Sequence, residues 1–263
     1  MDHHQHFEIC VDDVELQHDI FTLIFIYPLL SGASLYSFSV YALQITILVL
    51  AFKSLLIDAD PDNVLTVPLQ NSVDVKIAQF TALIVSTFTA TDLIHAFDVI
   101  QIEYDSSIRE KFPAATWTKW VLSNFFRFVE GGLSVATAFM FIVQSTDVLD
   151  LFLGFAVIQF VSELDDVGFY LAERGYAIVD IRNKALEVNG IRFRQVSSYR
   201  CCNTKFAIIT SQTQRLIFAS LLTSLFTAWS IVQIHQNDGF YYNTVCQEFE
   251  VKFDDFSYDF FRD

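Results

Sequence analysis

The chain has 263 residues, of which 53% are hydrophobic and only 18% are charged, with a formal net charge of −15. A soluble domain carries about 25% charged residues, so this composition is typical of a membrane protein. The negative charge argues against a nucleic-acid partner, because phosphate binding needs a basic surface. The four cysteines show no metal-site or disulfide-framework spacing, and the sequence predicts no cofactor and no metal centre.

The N-terminal residues 1–19 form a polar tail that carries four of the six histidines. Clustered histidines can bind a metal ion, but a polar terminus of this kind favours a disordered tail. Residues 20–30 are apolar yet too short to cross a bilayer, and Pro28 interrupts them. We therefore predict a packed or interfacial segment before the first membrane span.

The apolar residues that follow fall into runs of about 20, which is the length that crosses about 30 Å of hydrocarbon as a helix. They predict an all-α fold: a polytopic membrane helix bundle over residues 20–235, with about five transmembrane helices and short soluble termini. The spans are predicted near residues 34–57, 76–99, 118–143, 148–172 and 206–234. The protein is thus expected to be an integral, multi-pass membrane protein whose first partner is the lipid bilayer.

The third and fourth spans are predicted to form a tight antiparallel hairpin, because only residues 144–147 separate them. The third span also carries small residues after Gly131-Gly132, namely Ser134, Ala136 and Ala138. Small residues let helices approach closely, so this face is predicted to pack inside the bundle.

Basic residues set the expected orientation. Residues 173–205 form a basic loop with seven of the sixteen Lys and Arg, whereas residues 58–75 and 144–147 have none. The positive-inside rule places the basic loop in the cytoplasm. With five spans, the N-terminus is then expected inside and the acidic-aromatic C-terminal tail, 236–263, outside.

Three short features lie in these polar segments. Asn189-Gly190 stands between alternating apolar residues and predicts a tight β-hairpin. Cys201 and Cys202 precede the last span and are candidates for S-acylation, with plain reduced cysteines as the alternative. The tail 236–263 alternates acids with aromatic residues, which predicts a short strand or an extended docking segment.

Charged residues occur at matching depths in four of the predicted spans, because successive spans alternate in direction. We call this set the charged layer: Asp92, His95 and Asp98 on the second span, Arg127 and Glu130 on the third, Glu163, Asp165 and Asp166 on the fourth, and Arg215 near the start of the fifth. Each unpaired charge costs roughly 2.5–3.5 kcal/mol at a helix centre. We therefore expect Arg127 to pair with an acid from the second or fourth span, with Glu163 or Asp166 as the first choice.

The charged layer has three interpretations. It can be a structural network that fixes the register of the helices. It can be an ion or proton path, in which His95 gains and loses a proton near neutral pH. As a third interpretation, Asp92, His95 and Asp98 can act as metal ligands, although Asp-x-x-His-x-x-Asp on one helix is a weak signal for such a site.

The run from Glu130 to Tyr176 resembles a recurrent segment of uncharacterised multi-span membrane proteins of microbial eukaryotes. The matching positions are Asp147, Leu149, Asp150, Phe155, Ala156, Phe160, Val161, Leu164, Asp165 and Asp166, whereas Gly154 stands where the pattern has Asn. The resemblance implies that the Leu164-Asp165-Asp166 ending belongs to a fold. It implies no activity.

Two classes of function follow. The first is an ion channel or ion-coupled transporter whose path crosses the charged layer. The second is a non-catalytic membrane scaffold or subunit that binds a protein partner, or a second copy, through the basic loop or the tail. The sequence shows neither an inverted repeat nor a glycine-rich filter, and an enzyme is the less favoured alternative.

Overall fold

The computed structural model describes residues 8–57, 65–68, 71–101, 104, 106, 108–189, 191–201, 204–206 and 209–237. Its elements in chain order are β1 Glu8–Glu15, α1 Ile20–Ile26, α2 Gly32–Leu55, α3 Val73–Thr89, α4 Thr91–Gln101, α5 Ile108–Lys111, α6 Trp117–Gln144, α7 Val148–Ser162, α8 Leu164–Glu173, α9 Val179–Val188, β2 Arg192–Cys201, β3 Thr204–Phe206 and α10 Ile209–Asn237. The chain is thus mainly helical, as predicted, with one small sheet in addition.

Helix α6 lies at the centre of the bundle. It packs against α1, α2, α3, α4, α7 and α10, and half of its most apolar stretch is buried. It begins beside one hydrophobic core, which we call the N-terminal core, where Trp120 packs. It ends at the opposite end of the bundle, where Val143 packs with Val67 and Val232. Every residue on α6 can therefore be placed by its depth between these two cores.

Among the described residues, three helices are long and apolar enough to cross a membrane, namely Gly32–Leu55, Trp117–Gln144 and Arg215–Gln236. This is fewer than the five transmembrane helices that the sequence predicts. The predicted spans 76–99 and 148–172 are each divided into two helices, at Ala90 and at Glu163. Both divided spans are apolar over most of their length and have no Gly or Pro at the break, so the hydropathy pattern alone predicts continuous helices.

The outward surface of the bundle is rich in large apolar side chains. They include Leu43 and Leu50 on α2, Phe88 on α3, Phe125 on α6 and Phe160 on α7, each more than 40% exposed. Exposed apolar surface of this extent marks a membrane or partner contact in a protein of this size. It fits a bundle whose outer faces meet lipid.

Helix α1 is the buried centre of the N-terminal core. Its seven residues, Ile20–Ile26, are all buried, and they pack with Phe112 from the α5 region, Phe169 on α8 and Ile181 on α9. The prediction of a packed segment before the first span is confirmed. Helices α6, α8 and α9 together cover the apolar residues of α1. A helix of this length therefore buries its apolar side chains without crossing a membrane.

The prediction of a polar, disordered tail over residues 1–19 is wrong from residue 8 onward. Strand β1 pairs antiparallel with β2, from Glu8 opposite Arg200 to Glu15 opposite Arg192. The chain then enters the bundle, and Asp19 is buried at the start of α1. Backbone hydrogen bonds to β2 hold this segment in place. Its polar composition alone does not predict this pairing.

The described residues of the basic loop 173–205 form a helix and strands, and the predicted hairpin at Asn189-Gly190 is wrong, because the residues before it, Val179–Val188, form helix α9. Asn189 ends this helix, and Asn is also common at helix C-termini; Gly190 lies outside the described residues. The apolar residues Ile181, Ala185 and Val188 are buried on one face of α9. Strand β2 pairs with β1 and β3, and Cys201 lies opposite Thr204 at its end. S-acylation of Cys201 and Cys202 stays a prediction, and Cys202 lies outside the described residues.

The predicted hairpin between the third and fourth spans is confirmed. Helix α6 ends at Gln144 and α7 begins at Val148, and the two helices pack together. Asp147 starts α7 by accepting hydrogen bonds from the backbone N–H groups of Leu149 and Asp150, at 2.7 and 3.3 Å. A carboxylate at this position satisfies the free N–H groups of a helix N-terminus.

Of the small residues predicted to face the bundle interior, Ser134 and Ala138 are buried, whereas Ala136 is exposed. The tail 236–263 lies outside the described residues, except that its first two residues complete α10. Its predicted strand or docking segment stays a prediction.

Candidate functional site

The first helix break lies between α3 and α4. Ala90 leaves the helical conformation, with φ −75° and ψ 47°, although the sequence has neither Gly nor Pro here. Thr87 and Thr89 donate their hydroxyl groups to the carbonyls of Leu83 and Val85, at 2.9 and 3.1 Å. Such side-chain bonds to the preceding turn weaken and bend helices. The break brings Asp92 into the first turn of a new helix.

The second break lies between α7 and α8, at Glu163, where φ is −89° and ψ is 7°. The carbonyl of Ser162 accepts a 2.9 Å hydrogen bond from the Nε2 of Gln44 on α2. At the first break, the carbonyl of Thr89 accepts a 3.5 Å bond from the Nε2 of Gln159 on α7. Glutamine side chains on neighbouring helices thus replace hydrogen bonds at both breaks, as a buried backbone requires.

The two breaks meet against α6 around a small polar cavity. It is lined by Thr89 and Asp92 from the first break, Gly131 and Ser134 from α6, and Gln159 and Ser162 from α7. The cavity has room for about one water molecule. Polar side chains from four helices, α3, α4, α6 and α7, therefore line one small cavity in the bundle.

Arg127 is paired with Asp19, not with Glu163 or Asp166 as the sequence predicts. The guanidinium Nη2 donates to Asp19 Oδ2, and Nη1 donates to Asn124 Oδ1 at 3.2 Å. Asp19 Oδ1 accepts at the same time from the backbone N–H of Thr22, at 2.8 Å, at the N-terminus of α1. The prediction failed because it placed Asp19 in a disordered tail.

Two acids of the charged layer are fully buried without adequate partners. Glu130 is 0% exposed, and neither of its carboxylate oxygens has a hydrogen-bond partner among the described residues. Asp165 is 1% exposed; its Oδ1 lies 3.4 Å from the Nε2 of Gln44, and its Oδ2 has no partner there. The Oε1 of Gln44 is a further buried acceptor without a donor. These acids are not members of the predicted structural ion-pair network.

The remaining members of the charged layer lie in different surroundings. Asp92 lines the cavity, and the Nδ1 of His95 contacts the Nε2 of Gln17. Glu163 accepts a 3.2 Å hydrogen bond from Gln159 Nε2. Asp166 and Arg215 are exposed, and the side chain of Asp98 lies outside those that the structure describes. The layer is therefore concentrated on α4, α6 and α8, without Arg215.

Negative charge exceeds positive charge around Glu130. Asp92, Asp165 and Glu163 lie within electrostatic range of it, and so does Arg127. Arg127 is already neutralised by Asp19. Asp92 and Asp165 stand in the first turns of α4 and α8, where a helix dipole favours an anion by about 0.3–1 kcal/mol. Burial of an ion costs several kcal/mol, so the dipoles offset only part of the cost.

The sequence analysis missed Asp19 and Gln44. Asp19 precedes the apolar run of α1, and Asp is a preferred residue at that N-terminal position of a helix, so this signal was present. Gln44 had no signal, because a single Gln in an apolar helix does not show which carbonyl it meets.

Replacing Gln44 by leucine should lower the free energy of unfolding by about 1–3 kcal/mol. The change removes the donor to the Ser162 carbonyl, and an unsatisfied buried polar group costs about that amount. Urea or thermal unfolding of the detergent-purified protein measures it. Thr46→Val is the matched control, because Thr46 lies on the exposed face of the same helix. Equal losses in both variants would contradict the assignment.

Among the side chains that the structure describes, no three His, Cys, Asp or Glu residues are grouped so that they could hold a metal ion. Asp98 is outside that set, so the metal interpretation of Asp92, His95 and Asp98 stays a hypothesis. No known protein family, curated protein or solved structure matches the chain.

Proposed function

We propose that this chain is a multi-pass membrane protein that moves an ion across the bilayer, as a channel or an ion-coupled transporter, through the charged layer. One observation carries the proposal: two neighbouring helices are broken near Glu130 and Asp165, buried acids with carboxylate oxygens that have no partner among the described residues. Irregular backbone at membrane depth is tolerated only inside protein or around a hydrated cavity. Broken helices of this kind form the ion and substrate sites of many transporters.

The proposal includes five crossings of the membrane, two of them made by broken helices. Helices α3 and α4 together cover residues 73–101, and α7 and α8 cover 148–173. At 1.5 Å per residue, each pair is long enough for about 30 Å of hydrocarbon. With α2, α6 and α10, the chain then crosses in alternating directions.

The acids of α8 suggest a route to the site. Asp166 is exposed, Glu163 is half-buried and Asp165 is fully buried. Asp165 and Glu163 both act electrostatically on Glu130. An ion that enters beside Asp166 would therefore meet acids of increasing burial before it reaches the central helix.

Ion flux into vesicles tests this function. The purified chain in proteoliposomes should carry a cation current or a cation-coupled pH change, and Glu130→Gln should abolish it because the variant keeps the shape of the side chain but not its ionisable carboxyl group. Asp150→Asn is the matched control, since Asp150 is an exposed acid in the first turn of α7. A folded wild-type protein without flux of Na⁺, K⁺ or H⁺ would refute the proposal.

The proposed orientation places segment 173–205 in the cytoplasm and the tail 236–263 outside. The pairing of β1 with β2 supports an N-terminal strand on the same side as the basic segment. In intact cells, a membrane-impermeant maleimide should label Cys246 alone, and Cys201 and Cys202 only after permeabilisation. Labelling of Cys10, Cys201 and Cys202 without Cys246 in intact cells would indicate the reverse orientation, because Cys10 lies on β1. Hydroxylamine treatment beforehand removes any S-acyl groups that would hide these thiols.

A non-catalytic membrane scaffold or subunit is the second candidate function. It is favoured by exposed apolar side chains beside the basic residues Arg174 and Arg182: Tyr176 is 80% exposed, Ile178 72% and Val179 70%. Such a patch suits contact with a protein partner or a second copy. Absence of flux together with loss of a co-purifying partner in Ile178→Asp would favour this alternative.

A further inference from the structure

We propose that Glu130 on α6 and Asp165 on α8 hold a proton in the folded protein, so that the ion handled by the charged layer is H⁺. The inference deepens the proposed function and relies on it for the role in transport. The protonation itself can be measured without any flux. Uptake would transfer a proton from a hydronium ion at Asp166 to a carboxylate oxygen of Glu130 or Asp165 and leave neutral water, and release would pass the proton to a water molecule on the other side of the bilayer.

The balance of charge around the pair calls for a proton. The groups that face Glu130 are Asp92 on α4, Glu163 and Asp165 at the α7–α8 break, Arg127 on its own helix and Tyr41 on α2. Arg127 is bonded to Asp19, and His95 lies three residues beyond Asp92, in contact with Gln17. The arginine therefore does not neutralise Glu130 and Asp165 as well. An isolated buried carboxylate is so costly that it takes up a proton instead.

The hydrogen bonds lead to the same conclusion. Among the members of the charged layer and Gln44, four buried acceptors have no donor in the described part of the chain, namely Glu130 Oε1 and Oε2, Asp165 Oδ2 and Gln44 Oε1, against one buried donor without an acceptor, Arg127 Nε. An ionised carboxylate can only accept, whereas a protonated one supplies an O–H donor. One proton on the pair therefore provides a donor where the described residues have a surplus of acceptors.

The site suits a proton better than a larger cation. The cavity at Asp92 and Gly131 has room for about one water molecule, and the described residues offer no group of three acids, histidines or cysteines that could hold a metal ion. A hard cation needs several oxygen ligands at once. A proton needs only one carboxylate oxygen and a water to deliver it.

Infrared spectroscopy of the full chain in phosphatidylcholine vesicles tests the proposal. At pH 7 the wild-type protein should show the C=O stretch of a protonated carboxylic acid, which shifts in D₂O and disappears as the pH is raised. Glu130→Gln and Asp165→Asn should each lose or diminish this band. Asp150→Asn should retain it, because Asp150 is an exposed acid in the first turn of α7 and lies outside the charged layer.

If the variants fail to fold, the wild-type titration decides alone. Absence of the band at pH 7, or its loss on addition of Na⁺ at constant pH, would overturn the assignment to H⁺. A band with the expected pH dependence but no ion flux would leave the proton site standing and refute the proposed function. Flux of an ion other than H⁺, without the band, would support the proposed function and refute the proton site.

Discussion

Replacing Arg127 by alanine is expected to lower the free energy of unfolding by about 3–5 kcal/mol, because it leaves a buried carboxylate without its cation. Asp19 would lose the guanidinium Nη2 while it still accepts the N–H of Thr22. The guanidinium also lies 5.2 Å from the ring centroid of Phe21. The loss would therefore also loosen α1 and the N-terminal core. Denaturant unfolding of the detergent-purified protein measures the change.

Second-site variants show which acid is the partner. Asp19→Asn should partly rescue Arg127→Ala, since it removes the uncompensated charge, whereas Glu163→Gln should not. Arg215→Ala is the control and should have little effect, because Arg215 is exposed. If Glu163→Gln rescued Arg127→Ala and Asp19→Asn did not, Glu163 would be the partner of Arg127, as the sequence predicts. This result would contradict the pair with Asp19.

Replacing Gly131 by alanine is expected to destabilise the protein by about 1–3 kcal/mol, the usual cost of overpacking a tight interface. A Cβ at Gly131 would lie 2.6 Å from the backbone nitrogen of Leu93 and 3.0 Å from its Cα. These atoms belong to the backbone of α4, so the clash cannot be relieved by a side-chain rotation. Helix α4 would have to move away from α6 and carry Asp92 with it.

The neighbouring glycine is an internal control. A Cβ at Gly132 would meet nothing within 4 Å, and alanine is a better helix former than glycine by about 1 kcal/mol. Gly132→Ala should therefore be neutral or stabilising. Thermal unfolding of the two variants in the same detergent compares them directly. If Gly131→Ala is as stable as Gly132→Ala, α4 and α6 are not in close contact at Leu93.

Much of the bundle could be predicted from local pattern. The hairpin at residues 144–147 follows from the length of the turn, and the apolar outer faces follow from runs of hydrophobic residues. The breaks at Ala90 and Glu163 could not be predicted in this way. Neither position has a Gly or Pro, and both breaks depend on hydrogen bonds from Gln44 and Gln159, which come from other helices.

The charged layer, too, could be predicted only as far as local pattern allows. Depth along each span is a local property, so alternating helices were enough to predict that Arg127, Glu130 and Asp165 lie at one level. The choice of partner is not local. Asp19 lies 108 residues from Arg127 in the chain, and it reaches the arginine only because α1 folds back against α6.

The sequence by itself determined that this is a helical protein with apolar helices long enough to cross a membrane, and it predicted charged residues at one depth in them. Hydrophobic length and the alternation of direction are enough for both conclusions, because they depend on distances along single helices. The tertiary structure alone decided which charges are paired. Burial and hydrogen bonding depend on which helices meet, and those contacts leave Glu130 and Asp165 buried without a cation while Arg127 is neutralised by Asp19.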